Sequence, residues 1–211
     1  MTDGVDEKKR DTLRRFAALG AAAPFVGTAG AASGDDTGQS RPTGDNETRE
    51  AIRGYLSTTP GAHFSKLRDD LHLGTGETQY HLRRLEDAGE VESIKDGDYR
   101  RYYPAGRFDG WEKRALGYLR RETPRGMILE LLAEPNLTGA ALADRIGVSR
   151  PTISAAAGEL ADAGVLDREG GYALEEPERL IGLIVRYADS FGPQAVAFTE
   201  EVADYVRHDP R

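Results

Sequence analysis

The chain repeats itself. Residues 67–92 (LRDDLHLGTGETQYHLRRLEDAGEVE) overlay residues 142–167 (LADRIGVSRPTISAAAGELADAGVLD) without a gap. Leu67/Leu142, Asp69/Asp144, Leu85/Leu160, Asp87/Asp162, Ala88/Ala163 and Gly89/Gly164 are identical pairs. A repeat of this length constrains the fold strongly, because each copy has to be one supersecondary unit. Each copy runs through a short helical pattern, a turn, and a longer helical pattern ending Asp-Ala-Gly. A strand-like stretch with its own glycine turn follows. Two copies are too few for a solenoid, so the natural reading is two similar domains in tandem.

The second copy specifies the motif best. Ala143 is small where two helices would cross, and Gly147, four residues on, can take a left-handed turn. Ser149 can cap the next helix, and Pro151 is tolerated in its first turn, where the missing N–H is not needed. Ile153 and Leu160 then face inward, which leaves Arg150, Thr152 and Ser154 at the exposed N-terminal end. That is the part of a helix-turn-helix that enters a major groove. From Arg150 to Gly158 there is no acidic residue, although the chain carries 36 Asp plus Glu against 28 Lys plus Arg.

The first copy is looser at the turn, with His72 in place of Gly147 and Arg68 in place of Ala143. Its later half is richer in recognition chemistry. Thr78, Leu82 and Leu85 point inward, while Gln79, Tyr80, Arg83 and Arg84 offer an amide, a phenol and two guanidinium groups. Gln suits adenine and Arg suits guanine in the major groove. Strands at 90–94 and 99–103 flank Lys95-Asp96-Gly97-Asp98, a hairpin signature, and place Lys95, Arg100 and Arg101 on a wing. Wing cations contact phosphate more often than bases. For each of these charges the plainer alternative is a solvated face.

The fold class expected is therefore mainly α with small β-wings (α+β), as two winged helix-turn-helix domains at 47–106 and 107–175 with C-terminal helices at 176–211. In that last segment Leu180, Ile181, Ile184, Tyr187 and Phe191 recur at three- and four-residue spacing. Leu183 and Val185 broaden the stripe, which suggests a homodimer contact through these helices. Packing on the chain's own domain is the competing use of the same stripe.

Residues 1–46 do not read as a domain. A charged start is followed by an uncharged Ala/Gly run at 16–32 and a polar linker, so a disordered or signal-like segment is expected. Arg14-Arg15-Phe16 before that run resembles a twin-arginine export signal, which keeps an exported or membrane-associated location as the alternative to a cytoplasmic one. A membrane role for residues 16–32 is not favoured, since the run is short and interrupted by Pro24.

The chain has no cysteine, its four histidines lack metal-ligand spacing, and no nucleophile or phosphate-loop motif is present. No catalytic residue, metal or cofactor is expected, and a small-molecule effector is left unspecified. The net charge of -8 with only five lysines suits a salt-loving organism, or simply an acidic soluble protein.

The stretch HLRRLEDAGEV, followed by a Lys/Asp/Gly turn and YRRYYP, resembles archaeal transcriptional regulators with two winged helices in tandem, akin to the ArsR and MarR families. The likeness covers roughly residues 47–175. It implies sequence-specific binding of double-stranded DNA and control of transcription, commonly as dimers. It does not carry metal sensing, for want of cysteines. The alternative is a winged-helix protein–protein interaction module without DNA readout, which the acidic balance favours and the clustered arginines oppose.

Overall fold

The computed structural model describes residue 9, residues 11–18 and residues 43–207, with side chains placed at 45–201 of the last stretch. The chain forms two compact units, Met1–Phe108 and Asp109–Arg211. The run at 19–32, and with it the export reading, lies outside the described residues, as do the side chains of Val202, Tyr205 and Val206.

The first unit consists of α1 (residues 11–18), α2 (Thr43–Thr58), β1 (Ala62–His63), α3 (Phe64–Asp70), α4 (Thr75–Asp87), β2 (Val91–Asp96) and β3 (Tyr99–Pro104). Its core gathers Ile52, Tyr55 and Leu56 from α2, Leu67 from α3, Leu82 and Leu85 from α4, and Val91 and Tyr102 from the sheet. Gly89 (φ 67°) ends α4 in the left-handed region, where a glycine escapes the Cβ clash. The hairpin closes through Gly97-Asp98, with Asp96 paired to Tyr99 and Gly97 at φ 58°. The antiparallel sheet has the order β1-β3-β2. The two-residue β1 is too short to leave an alternating pattern in the sequence.

The N-terminal segment departs from the sequence expectation. Residues 11–18 are helical, and Leu13 is buried in the first core. Phe16 meets Tyr55 edge-on at 5.3 Å, and Lys9 pairs with Glu77 at 2.8 Å. Leu13 and Phe16, three apart, share a helix face. The described part of this segment is covered by α2, whose Tyr55 meets Phe16. α2 itself begins at Thr43, ahead of the expected start at Glu47.

The second unit consists of α5 (Gly110–Leu119), α6 (Glu122–Ala133), α7 (Gly139–Ile146), α8 (Arg150–Asp162), β4 (Leu166–Asp167), β5 (Ala173–Leu174), α9 (Pro177–Phe191) and α10 (Pro193–Arg207). Asp109 caps α5 by accepting from the Glu112 N–H at 2.8 Å. The Trp111 indole N–H donates to the Gly164 carbonyl at 2.7 Å, and the Arg114 Nε to that of Ala163 at 2.9 Å, which ties α5 to the turn after α8.

The stripe expected to pair two chains is mostly spent inside this unit. Leu180 and Ile184 are fully buried, and Tyr187 and Phe191 are nearly so. α9 packs on α5 and α10, and Arg120 lies over the Phe191 ring at 4.9 Å while donating to the Ser190 carbonyl at 2.8 Å. Only Ile181, partly covered, and Val185, exposed, remain at the surface. Helical periodicity reports that a face is buried, and it is silent on which surface buries it.

Candidate nucleic-acid interface

In the first unit, α3 and α4 are joined by a tight turn at His72-Leu73-Gly74. His72 takes φ 54° and Leu73 tucks inward, buried. Gly74 precedes α4 in extended conformation, and the Glu77 carboxylate reaches back to its N–H at 3.3 Å. Thr78, His81, Leu82 and Leu85 form the inner face of α4. Gln79, Tyr80, Arg83 and Arg84 are all exposed on the outer one. Tyr80 is 48% exposed, and the Arg84 guanidinium sits 5.6 Å from its ring centroid. A large aromatic is thus left open on this helix, next to an amide and two cations.

His81, beneath that face, is almost fully buried and its Nδ1 has no hydrogen-bond partner. Burial holds its pKa below the ordinary histidine value, opposed by the carboxylates of Asp45 and Glu77 and assisted by Arg49 and Lys9.

The wing corrects one assignment. Lys95 is exposed and Arg100 is mostly so, but Arg101 is only 3% exposed. Its guanidinium pairs with Asp96 and donates to the Gly61 carbonyl at 3.1 Å. Consecutive strand residues point to opposite faces, so Arg100 and Arg101 cannot share a surface. That rule was available from the sequence, and it removes Arg101 from the interface. Arg100 in turn donates to Ser93 Oγ at 2.7 Å and lies 3.4 Å from Glu86, so part of its charge is already matched. Lys95 is the wing cation with no acidic partner among the described residues.

In the second unit, α7 ends at Gly147 with φ 76° and ψ 32°. Ser149 caps α8, its Oγ accepting from the Thr152 N–H at 3.3 Å and lying 2.7 Å from Thr152 Oγ1. The two hydroxyls are thus partly engaged with each other. Ile153, Ala156, Ala157 and Leu160 are buried, while Arg150, Thr152 and Ser154 are exposed at the helix start. The β4–β5 wing is short, with two residues in each strand.

Both units therefore present a helix, a tight turn and a second helix with an open N-terminal face, followed by a hairpin. Comparison with known domains agrees with this geometry. Residues 46–116 match a family described as an N-terminal HTH domain. Residues 114–183 match the Crp-like helix-turn-helix domain. The chain carries two helix-turn-helix domains in tandem. A stretch of 90 residues is 34% identical to an uncharacterized HTH-type transcriptional regulator of the archaeon Methanocaldococcus jannaschii. That alignment takes in 43% of this chain and 22% of the relative, so the chain matches only about a fifth of the relative's length.

The tandem helix-turn-helix chain has, among its described residues, no group of His, Asp and Glu able to hold a metal ion. No helix among them is long and apolar enough to cross a membrane.

Proposed function

We propose that this chain is a sequence-specific DNA-binding transcriptional regulator that acts in the cytoplasm and performs no enzymatic step. The observation that carries the reading is the outer face of α4. Gln79, Tyr80, Arg83 and Arg84 stand together in solvent on the helix that this fold lays into a major groove. Arg150, Ser149, Thr152 and Ser154 give the second domain a smaller set at the start of α8, and Lys95 and Arg100 add phosphate contacts from the first wing. The acidic net charge of -8 does not oppose this, since two local faces escape it.

A homodimer on a two-fold site belongs to the same reading, because paired reading helices would then meet paired half-sites. Of the α9 stripe, only Ile181 and Val185 are left for a second copy to cover. Light scattering on the full chain gives the mass that tests it.

The test of DNA binding is selection from a randomised duplex pool by the full-length chain, followed by titration of the recovered duplex across a salt series. Enrichment of a defined motif is expected. A pool that stays random, with no retention even at low salt, would sink the regulator reading.

A further inference from the structure

We propose that Arg168 is a DNA-contacting residue of the second domain, supplying from the wing the guanidinium that its reading helix lacks. This rests on the DNA-binding reading above.

The gap-free overlay of the two copies puts Gly158 of α8 at the position of Arg83 in α4. Arg83 is an exposed cation on the outer face of its helix. At Gly158 the helix has no side chain, and its outer stripe of Pro151, Thr152, Ser154 and Ala155 is neutral and small. The position is nevertheless not bare. Arg168, directly after β4, folds back so that its Nη1 lies 3.6 Å from where a Cβ on Gly158 would stand. A guanidinium therefore lies beside the same helical position in both domains, reached from the helix in one and from the wing in the other. A Cβ at this position would stand in ordinary contact with that guanidinium, so Arg168 lies against the helix surface at Gly158.

Arg168 is exposed, and among the described residues no carboxylate pairs with it. The adjacent Asp167 is occupied, accepting from the Glu169 N–H at 2.8 Å. Nearby cations of the same unit are committed elsewhere. Arg121 pairs with Glu159 at 2.5 Å, and Arg145 with Glu130 and Glu134. Arg150 at one end of the stripe and Arg168 toward the other thus bracket a neutral, low-relief helix face with two uncommitted positive charges. A polyanion lying along α8 would meet both. From Arg150 to Gly158 that face carries no carboxylate, and Glu159 just beyond it is paired with Arg121.

The probe is the duplex that the wild-type full-length chain recovers from the randomised pool, titrated by fluorescence anisotropy across salt. Arg168→Ala should weaken binding roughly fivefold to tenfold at about 0.1 M salt and make the salt slope shallower by about 0.9, the value of one phosphate contact. Its thermal transition should match the wild type, since the residue is exposed. Arg168→Lys should keep the slope. The double variant Gly158→Arg/Arg168→Ala should recover the lost affinity, because it moves the guanidinium onto the helix as in the first domain. An Arg168→Ala variant with wild-type affinity and slope overturns the inference, and a double variant no better than Arg168→Ala overturns the positional equivalence on which it stands. A wild type that recovers no duplex defeats the regulator reading itself, which is a separable result.

Discussion

The two reading helices stand on the same frame and face outward with opposite characters. α4 offers Gln79, Tyr80, Arg83 and Arg84, all long and three of them aromatic or charged. The aligned positions of α8 are Ser154, Ala155, Gly158 and Glu159, and that glutamate is held by Arg121. The inner faces behave differently, with Leu82/Ala157 and Leu85/Leu160 buried in both. Both inner faces stay apolar at these positions even where the volume differs, because each must close a core of its own. The outward face is free of that constraint and can be set by what it touches. The comparison teaches that the two domains share a scaffold while their outward faces differ. On the DNA-binding reading proposed above, the first domain would meet bases with long side chains and the second would approach closely with cations at the ends.

The largest expected effect lies in α9, a helix that only the second unit has after its wing. Ile184→Glu would place a charge at a fully buried site, at a cost on the order of 4 kcal/mol. Calorimetry should show the second unit's transition lost or far lower, with the first unit's retained. A folded variant with an unchanged transition would mean that the stripe faces solvent after all.

Next is the first wing, where two neighbouring arginines have different jobs. Arg101→Ala should destabilise the first unit by about 1–3 kcal/mol, because Asp96 and the Gly61 carbonyl lose their buried donor. Arg100→Ala should leave stability nearly unchanged. Chemical denaturation of both variants checks it, and equal losses would erase the distinction between buried and exposed wing cations.

The contrast in reading chemistry is sharpened by Arg83→Ala against Ser154→Ala. Removing a bidentate base contact should cost roughly 1–3 kcal/mol of discrimination and relax the selected motif at one position. The serine variant should change the motif less. A reversed ranking in parallel selections would make α8 the principal reader.

The caps differ as well. Ser149→Ala should cost about 1 kcal/mol, since α8 starts on that hydroxyl. At the equivalent position of the first domain α4 starts on Gly74, which has no side chain to lose. Urea midpoints for Ser149→Ala and Gly74→Ala should therefore separate clearly.

The smallest effect is one of pH. His81 is held below its ordinary pKa by burial, so the unfolded chain takes up its proton first. The stability this contributes is complete above the unfolded histidine value and drains away as pH falls toward the lower folded one. The aligned residue in α8 is Ala156, so only the first unit should carry this term. Replacing His81 with Gln should flatten the first unit's stability profile between neutral and mildly acidic pH, and an unaltered profile would remove His81 as its source.

Much of this molecule was legible because its determinants are local. The repeat announced two domains, Gly147 and Ser149 specified the turn and the cap, and Asp96-Gly97-Asp98 specified the hairpin, since turns and caps are set by a few adjacent residues. The exposure of Gln79, Tyr80, Arg83 and Arg84 followed from helical period once Leu82 and Leu85 were assigned inward. What the sequence could not determine were contacts between residues far apart along the chain. Leu13 and Phe16 needed α2 and Tyr55 before they had a core to join. The stripe from Leu180 to Phe191 was known to be buried, but only α5 and α10 decided that its own unit buries it. Arg168 reads as one more surface cation until the fold lays it beside Gly158. Local dihedral preferences write themselves into short stretches of sequence, whereas the partner of a face or a charge is decided by which distant elements the core brings together.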